Sequence, residues 1–164
     1  MTKAIYAGSF DTFTMGHLNI LNRSAKMFEE VIVAIGTNTS KRALFTPEEK
    51  VEMINEVIET SSYDNVRVIL YADGLIVDLA KAEGADVMIR GIRSLSDMEY
   101  EMNIASMIKT QQPDIESVFL MADEQYRFVS SSLIKEVAIF DGDVSSMVPE
   151  IVAERMKEKY NAIK

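Results

Sequence analysis

Ser9, Thr14 and His17 fall within one short stretch, residues 8–17, bracketed by Gly8 and Gly16. Two hydroxyls, an imidazole and flexible backbone are groups that together hold and polarise a phosphate. His17 is the only histidine of the chain. The apolar run at residues 4–7 reads as a buried first strand. After the stretch, Leu18, Leu21 and Ala25, with Ile20, Met27 and Phe28 near them, recur at helical spacing. The stretch is therefore a strand-to-helix crossing. A helix N-terminus presents unpaired N–H groups and a partial positive charge, which suits an anion. Glycines let backbone approach a ligand closely. A lone histidine at a helix start also serves as a cap or surface residue, so the signal is the whole pattern.

Other residues offer compatible chemistry. Arg90-Gly91-Ile92-Arg93 places two arginines around a glycine as a strand ends. A guanidinium fork matches phosphate oxygens, although the same pair reads as surface arginines near Asp97 and Glu99. Ser130, Ser131 and Ser132 stand at a helix start, where hydroxyls and free N–H groups coincide. One serine would suffice as a cap. By themselves Lys41, Glu101 and Ile76 read as a loop charge, a solvated helix face and helix core.

The elements that position these groups follow from the pattern. Apolar runs at 31–35, 66–70, 87–90 and 117–121 read as further strands. Helices are expected at 47–60, 75–83, 97–110, 131–140 and 149–160. Thr46, Pro47 and Glu49 open the first of these with a capping box, and Gly84 ends the second. Strands buried on both sides and alternating with helices imply an α/β, Rossmann-like architecture. It has a five-stranded parallel sheet with helices on both faces, in a single domain over 1–164. Ligands on such sheets bind beyond the carboxyl ends of the strands. Residues 9–17, the Lys41 loop, residues 73–76, residues 90–93 and the Ser130 region converge there.

Composition narrows the function classes. With no cysteine among 164 residues, thiolate catalysis and disulfides are excluded. The net charge of −9 argues against nucleic acid and acidic membranes as partners. No apolar run approaches a membrane span. The chain enters a strand directly, without a signal-peptide pattern, and a cytoplasmic location is expected.

The whole pattern resembles the T/HxGH signature of the nucleotidyltransferase superfamily, most closely the bacterial phosphopantetheine adenylyltransferases. The likeness runs from Ala4 to about Pro149, with the motifs in order. It implies transfer of the adenylyl group of ATP to 4′-phosphopantetheine, giving dephospho-coenzyme A and pyrophosphate. By resemblance, His17, Lys41 and Arg93 are catalytic. Ser9, Phe10, His17, Gly91, Ile92, Arg93, Glu101, Tyr126, Arg127, Phe128, Val129, Ser130, Ser131 and Ser132 face ATP. Ser9, Lys41, Ile76 and Arg90 face the acceptor. Mg2+ is expected on phosphate oxygens and water rather than in a carboxylate cage. The resemblance also implies a homohexamer, with coenzyme A as a feedback ligand.

Departures from the family pattern are few. Thr12 and Phe13 stand where proline and an apolar residue are common. Ser9 replaces a threonine, and Val129 an isoleucine. Thr14 stands where other branches have a histidine, and Lys135 where many members have arginine. Two other readings stay open: a cytidylyl- or nicotinate-nucleotide adenylyltransferase, and a nucleotide-binding protein without turnover.

Overall fold

In the computed structural model, which describes residues 2–37, 42–72 and 74–163, the five apolar runs pair as one parallel sheet. The strands are β1 (Lys3–Gly8), β2 (Glu30–Gly36), β3 (Val66–Tyr71), β4 (Val87–Ile92) and β5 (Glu116–Met121). Their order is β3-β2-β1-β4-β5. β1 lies at the centre, in register with β2 from Lys3↔Glu30 to Gly8↔Ile35, and with β4 from Ala4↔Val87 to Tyr6↔Ile89. The chain winds outward from β1 to β3, then crosses back to β4. The topological switch point therefore lies between the carboxyl ends of β1 and β4.

Alternation along the strands splits the core into two layers. Ala4, Tyr6, Val31, Val33 and Ile35 face one side and pack with Leu21, Ile54, Ile134 and Val152. Ile5, Ile32 and Ala34 face the other and pack with Val77, Ala80, Met88 and Ile108. The first layer lies under α1 (Met15–Met27), α2 (Pro47–Glu59), α5 (Ser131–Ile139) and α6 (Glu150–Ile163). The second lies under α3 (Ile76–Glu83) and α4 (Leu95–Gln111). This is the expected fold, with helices on both faces.

Local chemistry sets the boundaries. Thr46 and Glu49 form the expected capping box at α2, with Pro47 in the first turn. Gly84 ends α3 in the left-handed region, at φ 68°. Asn65 fastens the end of α1 by donating to the Ala25 and Phe28 carbonyls, at 2.8 and 3.0 Å.

Three elements differ from expectation. α4 starts at Leu95 because Ser94 caps it through the Asp97 N–H. α6 runs on to Ile163. β4 extends to Ile92, held by pairing with β5 through Ile92↔Met121. Gly91 and Ile92 therefore sit inside the strand and not after it.

Thr12 is fully buried, and its hydroxyl has no partner among the described residues. An unpaired buried hydroxyl costs about 1–3 kcal/mol. Thr12→Val keeps the branched shape and removes the hydroxyl. We predict that it raises the thermal midpoint by about 2–4 °C for each kcal/mol recovered in a domain of this size. A fall in the midpoint by calorimetry would show instead that the hydroxyl is satisfied in solution.

Candidate active site

The site begins where α1 begins. Thr14 is the N-cap of α1, and its hydroxyl accepts the His17 N–H at 3.1 Å. In return His17 Nδ1 accepts the Thr14 backbone N–H at 3.0 Å. This is a capping box in which histidine takes the place usual for glutamate or glutamine. An Nδ1 that accepts from a backbone N–H carries no proton, so the neutral ring bears its proton on Nε2.

The ring is enclosed by aromatics. Phe13 stacks on it with centroids 5.5 Å apart, Phe10 meets it edge-on at 5.0 Å, and Tyr6 at 6.3 Å. Burial pushes the imidazole down to about 4, and the nearby Arg93 charge adds to the effect. His17 is thus a neutral hydrogen-bond donor at physiological pH, neither a cation nor a base. Burial also pushes the Tyr6 phenol up, which keeps it protonated.

Few of the helix-start amides remain free. Met15 N–H bonds the Met147 carbonyl, and Leu18 N–H returns to the Thr14 carbonyl. Gly16 N–H has no partner among the described residues. At α5, Ser130 caps by accepting the Leu133 N–H at 3.2 Å. Ser131 turns its hydroxyl to the Thr12 carbonyl, at 2.9 Å. The N–H groups of Ser131 and Ser132 stay available. Gly16, Ser131 and Ser132 all line the cleft, so two helix starts present donors to it.

Two glycines admit close packing. Phe10 ring atoms lie 3.2–3.3 Å from where a Gly8 Cβ would stand. At Gly91 a Cβ would come within 3.3 Å of Ile20 on α1.

The arginines arrive from β4 and are met by α4. Arg90 forks onto Glu101, with Nη2 to Oε1 at 2.9 Å and Nε to Oε2 as the second contact. Arg93 donates to the Val129 carbonyl at 2.8 Å, and its Nε lies 3.3 Å from Asp97. The Arg93 N–H also bonds the Asp97 carboxylate. Glu99, one candidate neighbour of these arginines, points to solvent instead. The two carboxylates that reach the cleft lie four residues apart on one helix face.

These groups line one cleft of about 380 Å³ at the switch point. It brings together Ser9, Phe10, His17, Arg90, Gly91, Arg93, Glu101, Val129, Ser130, Ser131 and Ser132. Ile92 is buried and does not line it. Tyr126 closes a short 3-10 turn (Glu124–Tyr126), and Arg127 follows, donating to the Arg93 carbonyl at 3.3 Å. Phe128 is largely exposed. None of these three lines the cleft. Ile76 starts α3 and packs beside the second core layer. Lys41 lies outside the described residues. Tyr6 and Asp97 line the cleft without having been singled out for it. Tyr6 looked like any apolar strand residue, and Asp97 like a surface partner. Among the described residues no group of three or more acidic, histidine or cysteine side chains could hold a metal unaided.

Because His17 is the only histidine, its ring signals can be followed by NMR without assignment. We predict titration near 4 and the Nε2–H tautomer above that. Between pH 4 and the ordinary value of about 6.5, the unfolded chain binds a proton that the folded chain refuses. Stability therefore rises with pH across that window and levels off above it. A titration midpoint near 6.5 would contradict the enclosed ring.

Comparison with known proteins agrees with this geometry. Residues 5–137 match the cytidylyltransferase-like family. A phosphopantetheine adenylyltransferase of Heliobacterium modesticaldum (strain ATCC 51547 / Ice1) is 48% identical over 160 residues, covering 98% of this chain and 94% of that protein. Among solved structures, the nicotinic acid mononucleotide adenylyltransferase of Plasmodium falciparum, complexed with NaAD, superposes with a TM-score of 0.72 at 16% identity, over 98% of this chain and 96% of that one. A candidate nicotinate-nucleotide adenylyltransferase from Vibrio parahaemolyticus gives 0.74 at 16% identity, with the same coverage. At that identity these two structures speak for the fold alone. Family model, relative and fold converge: the chain belongs to the cytidylyltransferase-like family, and the relative it matches along nearly its whole length is a phosphopantetheine adenylyltransferase.

Proposed function

We propose that this chain transfers the adenylyl group of ATP to 4′-phosphopantetheine, giving dephospho-coenzyme A and pyrophosphate. The observation that carries the reading is the neutral His17 donor set among free helix-start amides and two arginines in one cleft. It occurs in a chain 48% identical to a phosphopantetheine adenylyltransferase.

The chemistry asks for alignment and charge stabilisation. An oxygen of the acceptor phosphate attacks the α-phosphorus of ATP, and the bond to the bridging oxygen of pyrophosphate breaks. The acceptor is already an anion, so no base must create the nucleophile. Charge gathers on the equatorial oxygens and on the leaving group. His17 Nε2–H and Gly16 N–H serve the former, and the Ser131 and Ser132 amides the nucleotide phosphates. By resemblance Arg93 serves the nucleotide and Arg90 the acceptor. By resemblance Lys41 joins the transferring phosphate, Ile76 the pantetheine arm, and residues 126–128 the nucleotide. Mg2+ fits as a companion of the ATP phosphates, since the chain offers carboxylates only in arginine pairs here. When bound it neutralises phosphate charge.

Assembly and location belong to the same reading. α4 exposes Leu95, Tyr100, Met102 and Met107, which supports an interface between copies, and by resemblance the assembly is a homohexamer. Coenzyme A, which contains the product, would compete at the cleft as a feedback ligand. No helix among the described residues is long and apolar enough to cross a membrane, and a cytoplasmic location suits a chain without cysteine.

Pyrophosphate release with ATP and each candidate acceptor tests the assignment. Turnover should require 4′-phosphopantetheine, and His17→Ala should lower it by about 100-fold or more, the scale of losing a preorganised donor. Turnover with nicotinate mononucleotide or a CTP substrate instead would reassign the chain within its family.

Direct transfer also fixes the stereochemistry. The chain has no cysteine, and its single imidazole is neutral and spends Nδ1 on Thr14. No second histidine activates the Ser130–Ser132 hydroxyls. ATP made chiral at the α-phosphorus should therefore give product of inverted configuration. Retention, or exchange of labelled pyrophosphate into ATP without acceptor, would mean an adenylyl-enzyme.

A further inference from the structure

Behind the cleft lies a cluster of charge that the reaction does not use. Lys50 on α2 is only 1% exposed, and its nearest carboxylate is Asp11 at 3.8 Å. Asp11, 8% exposed, also accepts the Lys135 ammonium at 2.8 Å. The same carboxylate takes two backbone N–H groups, from Leu44 at 2.9 Å and Phe45 at 3.1 Å. A turn aspartate ordinarily bonds its own backbone two residues on. This one reaches instead to three distant segments: the start of α2, the chain before it, and α5.

Such a cluster is a costly way to shape a turn. Burial pushes the Lys50 ammonium down, and Asp11 only partly restores it. Burial pushes Asp11 up, but Lys135 and the two N–H groups hold it below its ordinary value. A buried set of ions is often no more stabilising than apolar groups of the same volume. Its distinctive product is a fixed geometry.

That geometry bears on His17. Phe10, the residue before Asp11, has φ 47°, a left-handed backbone that a bulky residue adopts only when its surroundings hold it there. Its ring is buried against His17 and over Gly8. Thr12, the residue after Asp11, is fastened by Ser131. Phe13 then stacks on the imidazole and Thr14 caps it. Asp11 itself makes no contact with the His17 ring, but it stands in the chain between Phe10 and Phe13, the two residues packed on that ring.

We propose that Asp11 is a positioning residue for His17: clamped by Lys50, Lys135 and the Leu44 and Phe45 amides, it keeps Phe10 and Phe13 closed over the imidazole. Without the clamp Phe10 relaxes to negative φ, its ring leaves His17, and water reaches the ring face that Phe10 and Phe13 cover, beyond the edge that already lines the cleft. The groups around that ring are Tyr6 from β1, Arg93 beyond β4, and Thr14, Phe10 and Phe13 from the turn. None of them is altered by changing the clamp residues.

The test reads the single histidine by NMR in the folded, substrate-free protein, so it stands apart from the acceptor assignment. Two variants open the clamp: Lys135→Met, and Asp11→Asn combined with Lys50→Met. The second preserves net charge and leaves no buried cation unpaired, which guards against unfolding. Loss of the Lys135 charge alone would favour protonation slightly, while the charge-balanced double should barely change the field. A common upward shift in the His17 midpoint of roughly one pH unit or more is therefore the signature of water entry. With it, kcat should fall about tenfold or more while KM for ATP changes little. Lys135→Arg, which keeps the ion pair, should restore both. Folded variants in which the His17 midpoint stays where it is, even with a lowered thermal midpoint, would overturn the proposal and leave the cluster a stabilising device only.

Discussion

The reciprocal pair of hydrogen bonds between Thr14 and His17 is the constraint on which the site rests. It opens α1, worth about 1 kcal/mol as a cap, and in the same act fixes the tautomer of the imidazole. Glutamate at this position would complete the same capping box. It would also place a negative charge where a phosphate must come. Histidine supplies the acceptor for the cap on one edge of its ring and a donor for an anion on the other. The aromatic enclosure keeps the ring neutral, so that the donor does not depend on the pH of the surroundings.

A chain of net charge −9 that receives polyanions must gather its donors locally. It does so with little free charge. Both cleft arginines are met by carboxylates of α4, and the imidazole is neutral. What remains is directional: amides at two helix starts, Nε2–H, and the guanidinium N–H groups not spent on Glu101 or Asp97. Directional donors discriminate the shape of a phosphate where loose ammonium groups would attract any anion. The carboxylates also limit the rotamers of long side chains before any ligand arrives, which lowers the ordering cost of binding.

The sheet was legible in the sequence because its strands are buried on both faces and so read as unbroken apolar runs. The cleft motifs were legible because helix starts and strand ends carry local signals. What stayed hidden depends on distance or phase. Glu101 rather than Glu99 meets Arg90 because α4 begins at Leu95, and its face turns on that phase. α4 gives little apolar periodicity from which to set it, since only Ile108 is buried on it. The extent of β4 rested on pairing with β5, a contact between residues far apart in the chain. Nothing in the sequence sets Lys50 apart on α2, and only the fold buries it against Asp11. The left-handed Phe10 has no sequence signature, for nothing in a phenylalanine favours that backbone.

The two walls of the cleft are held by different kinds of contact. The turn before α1 and the start of α5 are joined twice, by Ser131 to the Thr12 carbonyl and by Lys135 to Asp11. They form one unit carrying His17, Gly16 and the serine amides. The arginine wall is joined to α4 by the largely buried Arg90–Glu101 fork and by the Arg93–Asp97 pair, and Arg93 also bonds the Val129 carbonyl. In an in-line transfer the equatorial oxygens of the α-phosphorus barely move, while the attacking and leaving groups travel along the axis. Donors for the first must be fixed to a fraction of an ångström. Donors for the second meet charge that moves, and under the proposed transfer the guanidinium N–H groups left free by Glu101 and Asp97 would take that part.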